Sequence, residues 1–257
     1  MSRRQALCMG GTSGIGLGIA LELARAGFDV VVVGRNPARG AEAVRRLELA
    51  AGGAEDSSFA FARSDLSVVK NVKATCEAFM KQHARLDVLV MTQGRGSMMR
   101  WTDNGEGTHA NIAVNYLGRV AAAFLLAPLL RASSDPRVLT VLAAGMHKPY
   151  VHAADDFAVR EHFSFANQAD AACSYTDVAF DRFATRFPKI STAHLYPGVV
   201  RTNWMIELPL SVRCLAWTLC GACLWTCVKS GDDVGVEFAR ALLLDEKSGG
   251  GGYRYVF

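Results

Sequence analysis

Seven short apolar runs alternate with helix-length amphipathic segments along this chain, and few architectures accept that pattern. The runs lie at about Gln5 to Met9, Asp29 to Val33, Ser58 to Ala62, Leu86 to Met91, Arg137 to Leu142, Ser191 to Tyr196 and Gly252 to Val256. The amphipathic segments between them are Ile15 to Ala26, Ala38 to Leu49, Val68 to His83, His109 to Leu130 and Ala169 to Phe187. Strands joined through a helix run parallel, because a hairpin needs only a short turn whereas a parallel crossover needs a long connection. A parallel strand is covered on both faces, which explains a run such as Val30-Val31-Val32-Val33 with no polar alternation. The pattern predicts an α/β fold, a doubly wound parallel sheet of about seven strands with helices on both faces. With 257 residues, 51% of them hydrophobic, a single domain over 1–257 can hold one such core.

The first strand runs into Gly10-Gly11-Thr12-Ser13-Gly14-Ile15-Gly16 and then into a helix. Residues without a side chain let the backbone approach a pyrophosphate, and the helix N-terminus that follows favours its negative charge. In this strand–turn–helix setting the turn predicts a Rossmann-type dinucleotide site. The second strand indicates which dinucleotide. A carboxylate at its end would bind a ribose 2′-hydroxyl, and an arginine accommodates a 2′-phosphate. Here Val33 is followed by Gly34-Arg35-Asn36, so the expected cofactor is NADP(H).

These residues resemble the short-chain dehydrogenase/reductase family. The turn is similar to that family's Thr-Gly-x-x-x-Gly-x-Gly motif, with Met9 in the place of threonine. Further matches are Asp65-Leu66 after the third strand, Asn115 within Val114-Asn115-Tyr116-Leu117-Gly118, and Pro197-Gly198 followed by Thr202. Wording such as Asp135-Pro136-Arg137-Val138-Leu139 and Tyr196-Pro197-Gly198 is most similar to the retinol dehydrogenase and WW-domain-oxidoreductase-like branch. The resemblance implies cofactor contacts from Gly10, Thr12, Ser13, Gly14, Ile15, Gly16, Arg35, Asn36, Asp65, Leu66, Gly94, Asn115, Pro197, Gly198 and Thr202. It implies Asn115 and Tyr175 as catalytic groups, and pairing of the fourth and fifth helices between two copies of the chain.

The catalytic half departs from the family. Where a serine is expected at the end of the fifth strand, the chain has Leu142 and Ala143, so a polarising hydrogen bond would have to come from Thr140, His147 or water. Tyr175 is the evident phenol, but Ala179 stands four residues on, where a lysine belongs. Tyr175 also lies 22 residues before Pro197, about two helical turns short of the family's spacing; counting back puts the tyrosine and lysine positions near Ala169 and Cys173. Met91-Thr92-Gln93-Gly94 replaces the family's Asn-Asn-Ala-Gly. A phenol without a nearby cation is short by about three pKa units, or roughly 4 kcal/mol, as a base at pH 7, so reduction suffers less than oxidation. Three readings follow: an NADP(H)-dependent reductase of a hydrophobic carbonyl or alkene, a catalytically impaired NADP(H)-binding scaffold, and a non-redox dehydratase or cyclase.

On the substrate side, residues 198–229 read as a lid or apolar helical segment. No charge occurs from Cys214 to Val228, and fifteen residues rise only about 22 Å as a helix, too short for a bilayer core. A buried helix, a lid over an apolar pocket and a peripheral membrane contact through 214–228 are the options, with Trp217 and Trp225 suited to the last two. The small basic surplus, 28 Lys and Arg against 24 Asp and Glu, is dispersed, which speaks against nucleic acid. Seven cysteines in no regular framework suit reduced thiols, and Cys214, Cys220, Cys223 and Cys227 lack the spacing of a metal site. The opening Met1-Ser2-Arg3-Arg4 without a signal-like stretch predicts a cytoplasmic location.

Overall fold

The computed structural model describes residues 3–53, 56–96, 100–198, 200 and 229–240, and the backbone of 252–256. Seven parallel strands form one sheet: β1 (Gln5–Met9), β2 (Asp29–Gly34), β3 (Phe59–Arg63), β4 (Val88–Met91), β5 (Arg137–Val141), β6 (Ser191–Leu195) and β7 (Gly252–Val256). Their order across the sheet is β3-β2-β1-β4-β5-β6-β7. The connections reverse direction between β1 and β4. In open α/β sheets, ligands bind outside the carboxyl ends of the strands at this kind of switch point.

Among the described residues the helices are α1 (Gly14–Arg25), α2 (Pro37–Ala50), α3 (Val69–Gln82), α4 (Ala110–Arg131), α5 (Phe165–Arg186) and α6 (Gly231–Phe238). The alternation of strand side chains builds two cores. Ala6, Cys8, Val30, Val32, Val88 and Val90 face α1, while Leu7, Met9, Leu89 and Met91 pack with Leu126, Leu130, Phe180 and Phe183 on the other side. By length and composition α4 could cross a membrane. Its Arg119, however, is fully buried against strand-end carbonyls, so here α4 forms a layer of the fold.

Two helices differ from the sequence expectation. α5 begins at Phe165 instead of Ala169, because Ser164 caps it, its Oγ accepting from Asn167 N at 3.0 Å. α6 was not anticipated. Its signals are Ser230, whose Oγ accepts from Asp233 N at 3.1 Å, and Asp232 and Asp233 in the first turn. It crosses α1 where both helices are bare: a Cβ on Gly18 would meet Asp232 C at 2.9 Å, and one on Gly235 would meet Ile19 N at 2.8 Å. Two glycines thus let the backbones touch.

Candidate functional site

The glycine turn leaves β1 at the switch point. Gly10 has φ +85° and Gly14 φ +56°, a region where side chains are strained. Space is closed as well. A Cβ on Gly10 would lie 2.5 Å from Gln93 N, and one on Gly16 would meet Thr92 Oγ1 and Gly10 O, the latter at 2.6 Å. The turns after β1 and β4 therefore lie against each other with no room for side chains, as a backbone cradle requires. Ser13 precedes α1 in extended conformation and its side chain makes no cap bond. Gln93 is 6% exposed, and its amide nitrogen and oxygen have no hydrogen-bond partner among the described residues. A bare helix start, a tight glycine wall and an unsatisfied buried amide together fit a phosphate-bearing nucleotide.

Thr12 abuts Gly34, where a Cβ would lie 2.7 Å from Thr12 Oγ1, so the glycine turn reaches the end of β2. Arg35 follows Gly34 and is exposed. Gly34 pairs in register with Arg63 of β3, also exposed, which sets two arginines on neighbouring strand ends; the sequence reading had only the first. Asn36 caps α2, its Oδ1 accepting from Arg39 N at 3.1 Å. Asp65 Oδ1 accepts from Ser67 N and Oγ at 3.0 and 2.7 Å. Burial alone would raise its pKa, but the Ser67 bonds and the charges of Arg35 and Arg95 outweigh burial and lower it. Leu66 is a core residue, 4% exposed.

On the far side of the switch point, Gly94 sits above Asn115, whose Oδ1 would be 3.4 Å from a Cβ there. Asn115 lies in a π-turn, Ala113–Leu117, that interrupts α4; such turns frequently mark functional sites. Its amide is committed to one residue: Oδ1 accepts from Arg95 N at 3.0 Å and Nδ2 donates to Arg95 O at 2.8 Å. Asn115 thus pins the strand-end loop.

Arg119, one turn further on, was not singled out from the sequence. It donates to Met91 O (2.9 Å), Val141 O (2.9 Å), Thr140 Oγ1 (2.6 Å) and Gln93 O, tying the ends of β4 and β5 together. Burial pulls its pKa down to about 9, which still leaves the guanidinium charged at pH 7. The signal for it was a lone cation inside an apolar helix, which must find partners if buried. Thr140, considered as a polarising group, is 0% exposed and engaged by this arginine.

Helix α5 turns a polar face to the sheet. Asp177 Oδ1 lies 2.6 Å from His194 Nδ1, and its Oδ2 accepts from Gly145 N at 3.2 Å. His194 is fully buried, and desolvation lowers its pKa although Asp177 opposes the change. Cys173 is on the same face, and burial pushes its thiol up to about 12. Asp170, one turn earlier, pairs with His147 Nδ1 at 2.9 Å. Tyr175 is directed elsewhere: its ring stacks on Phe157 at 4.5 Å, contacts Tyr116 and Tyr150, and its hydroxyl donates to Phe157 O at 3.4 Å. Desolvation, then the charge of Asp156, pushes the phenol up to about 12. The expected phenol therefore belongs to an aromatic cluster, because residues two apart on a helix differ by about 200° and Asp177 already faces the strands.

Asp156 organises the loop between β5 and α5. It accepts from Tyr150 Oη (2.9 Å), Arg160 N (2.7 Å) and His162 N (2.9 Å), and it holds Val159 at φ +53° beside it. Burial would raise this carboxyl, but the His162 and Arg160 amides and the Tyr150 hydroxyl prevail and hold it far below the usual carboxylate range. Its stabilisation is therefore present above the unfolded value of 3.8 and is lost as pH falls below it. Asp156→Asn is expected to cost about 2 kcal/mol at pH 7, the scale of a hydrogen bond to a charge. In thermal melts the gap between variant and wild type should hold from pH 7 down to about pH 4 and narrow only as pH falls further below 3.8; a gap that stayed constant through that fall would refute this role.

Pro197 and Gly198 follow β6, Gly198 with φ +69°. Thr202, the cysteines and tryptophans of 214–228 and most of the 198–229 lid segment lie outside the described residues.

A family profile described as short chain dehydrogenase matches residues 4–155, ending before α5. An oxidoreductase of Emericella nidulans, AN1596, is 33% identical over 77% of this chain and 59% of its own length. Retinol dehydrogenase 14 of Mus musculus is 30% identical over 83% of this chain and 66% of its own. The crystal structure of an alcohol dehydrogenase from the archaeon Thermococcus sibiricus, complexed with 5-hydroxy-NADP, superposes with a TM-score of 0.70 at 20% identity, covering 99% of this chain and 96% of that one. The chain spans about three fifths of the length of the first curated relatives it matches.

Proposed function

The chain belongs to the short-chain dehydrogenase/reductase family of oxidoreductases, and from that premise we propose that it is an NADP(H)-dependent reductase of a hydrophobic small-molecule carbonyl. The observation that carries the reading is the side-chain-free cradle of Gly10 and Gly16 at the switch point, continued through Thr12 to Arg35 and Arg63. Gly10 to Gly16 would hold the pyrophosphate, Arg35 and Arg63 the 2′-phosphate, and the Thr92–Gly94 turn the nicotinamide end, with Asn115 and Arg119 as positioning residues behind it. The bound dinucleotide would supply the hydride. Asp65, Leu66, Pro197, Gly198 and Thr202 complete the proposed contacts around it.

Replacing Arg35 by aspartate is expected to weaken NADPH binding about 10- to 100-fold, the loss of one charge-assisted contact, without weakening NADH. Fluorescence titration with both dinucleotides reads this directly; equal losses for both would remove Arg35 from the phosphate site. The reductase reading is tested by NADPH oxidation against a panel of ketones, aldehydes and quinones. Tight NADPH binding with no oxidation by any of them would favour instead a binding protein with a rebuilt reaction centre. That second reading is supported by the hydroxyl-free Leu142 and Ala143 and by the engagement of Thr140 with Arg119.

Two further expectations belong to the same proposal. Pairing of two copies through α4 and α5 is supported by Phe124 and Val178, apolar and exposed on those helices. A reducing cytoplasmic compartment suits the buried free thiols of Cys8, Cys76 and Cys173.

A further inference from the structure

Reducing a carbonyl needs a proton for the oxygen as well as a hydride for the carbon, and the Tyr175 ring is stacked on Phe157 in an aromatic cluster. The polar face of α5 carries two His–Asp pairs. They are spaced by seven residues, about 10 Å along the helix. The inner pair, Asp177 with His194, is closed: the His194 side chain is 0% exposed and its Nε2 has no partner among the described residues. The outer pair, Asp170 with His147, is open, with side chains 27% and 30% exposed. A proton donor has to exchange its proton with solvent, and of these two pairs only the outer one is open to it.

The outer pair is also fixed to the cradle. His147 lies on the loop that leaves the carboxyl end of β5. The base of that loop is held by Arg119, which bonds Val141 O and, through Gln93 O, the turn that closes on Gly10. Midway, Gly145 N is tied to Asp177 on α5. Asp170 then takes His147 Nδ1 at 2.9 Å and so leaves Nε2 as the edge able to meet a ligand.

We propose that His147, oriented by Asp170, is the catalytic acid of the reduction. This rests on the reductase reading above. The carbonyl carbon gains the hydride that the dinucleotide supplies, its oxygen gains the proton from Nε2 of the imidazolium, and the neutral imidazole regains a proton from water. Asp170 does not give up a proton; it holds the ring through Nδ1 and keeps Nε2 turned outward.

Two measurements test this, one independent of turnover. Carbethoxylation of the full chain by diethyl pyrocarbonate, mapped by peptide mass, is expected to modify His147, and saturating NADPH should suppress that modification while leaving His152 and His162 unaffected. In NADPH oxidation with carbonyl acceptors, His147→Ala should lose about 10²- to 10⁴-fold in kcat, the usual contribution of a general acid. NADPH affinity and melting temperature should be retained, and added imidazole should restore part of the rate. Asp170→Asn should lower kcat without changing NADPH binding. Failure of NADPH to protect His147, undiminished turnover of His147→Ala, or loss of turnover in Tyr175→Phe but not in His147→Ala would overturn the assignment. A wild-type chain that binds NADPH but reduces nothing would overturn the reductase reading itself, and the assignment with it.

Discussion

Gly16→Val is expected to reduce NADPH affinity at least ~100-fold, equivalent to about 2.7 kcal/mol. A Cβ at this position already collides with Thr92 Oγ1 and comes within 2.6 Å of Gly10 O, and the branched side chain extends further into the same space. The turns after β1 and β4 must then separate, and the surface that would receive the pyrophosphate opens. Gly53→Ala is the control. Gly53, unlike Gly16, has positive φ, +75°, but nothing lies within 4 Å of a Cβ there, so only backbone strain of roughly 1–2 kcal/mol is expected, with no change in affinity. Calorimetric titration with NADPH separates the two. If Gly16→Val bound as tightly as the wild type, the cradle would not be the dinucleotide site.

Arg119→Leu is expected to lower stability by about 3–5 kcal/mol, the range seen when one partner of a buried polar network is removed. Three carbonyls and the Thr140 hydroxyl would lose their donor inside the fold. For a chain of this length the loss corresponds to a fall in Tm of roughly 10 °C, readable by circular dichroism. Arg119→Lys keeps the charge but not the planar fork and should recover only part of the stability, since one ammonium cannot reach four acceptors on two strands. A Leu variant melting within 1–2 °C of the wild type, less than ~1 kcal/mol, would show that Arg119 is not what joins β4 to β5.

The layered fold was legible because parallel strands leave long apolar runs, and the seven observed strands fall on those runs to within one or two residues. The cradle was legible because glycine is chemically distinctive at a strand–helix turn. The polar face of α5 was not. Tyr175 looked like the phenol by residue type alone, yet which face of α5 meets the sheet is set by partners far away in sequence, His194 on β6 and His147 on the β5 loop. Thr140 and His194, paired in register on adjacent strands, were polar interruptions at core positions and could have marked this face. Arg119 likewise stood out in an apolar helix. What a linear reading lacked was the rule that links these scattered polar residues: each satisfies another only after the layers are stacked.

The crossing of α1 and α6 has a bearing on how the chain comes to be folded. The helix into which the glycine cradle runs is covered by a segment more than two hundred residues later in sequence. At synthesis rates of about 5–20 residues per second, the outer face of α1 waits roughly 10 to 40 s for its cover. Closing so long a loop makes the topology slow, and the nascent chain carries an exposed apolar strip meanwhile. The two bare glycines that give the finished crossing its close fit offer that strip no side chain of its own as a shield. The helix that follows the glycine cradle is thus made early and covered late, so its outer face stays open through most of the chain's synthesis.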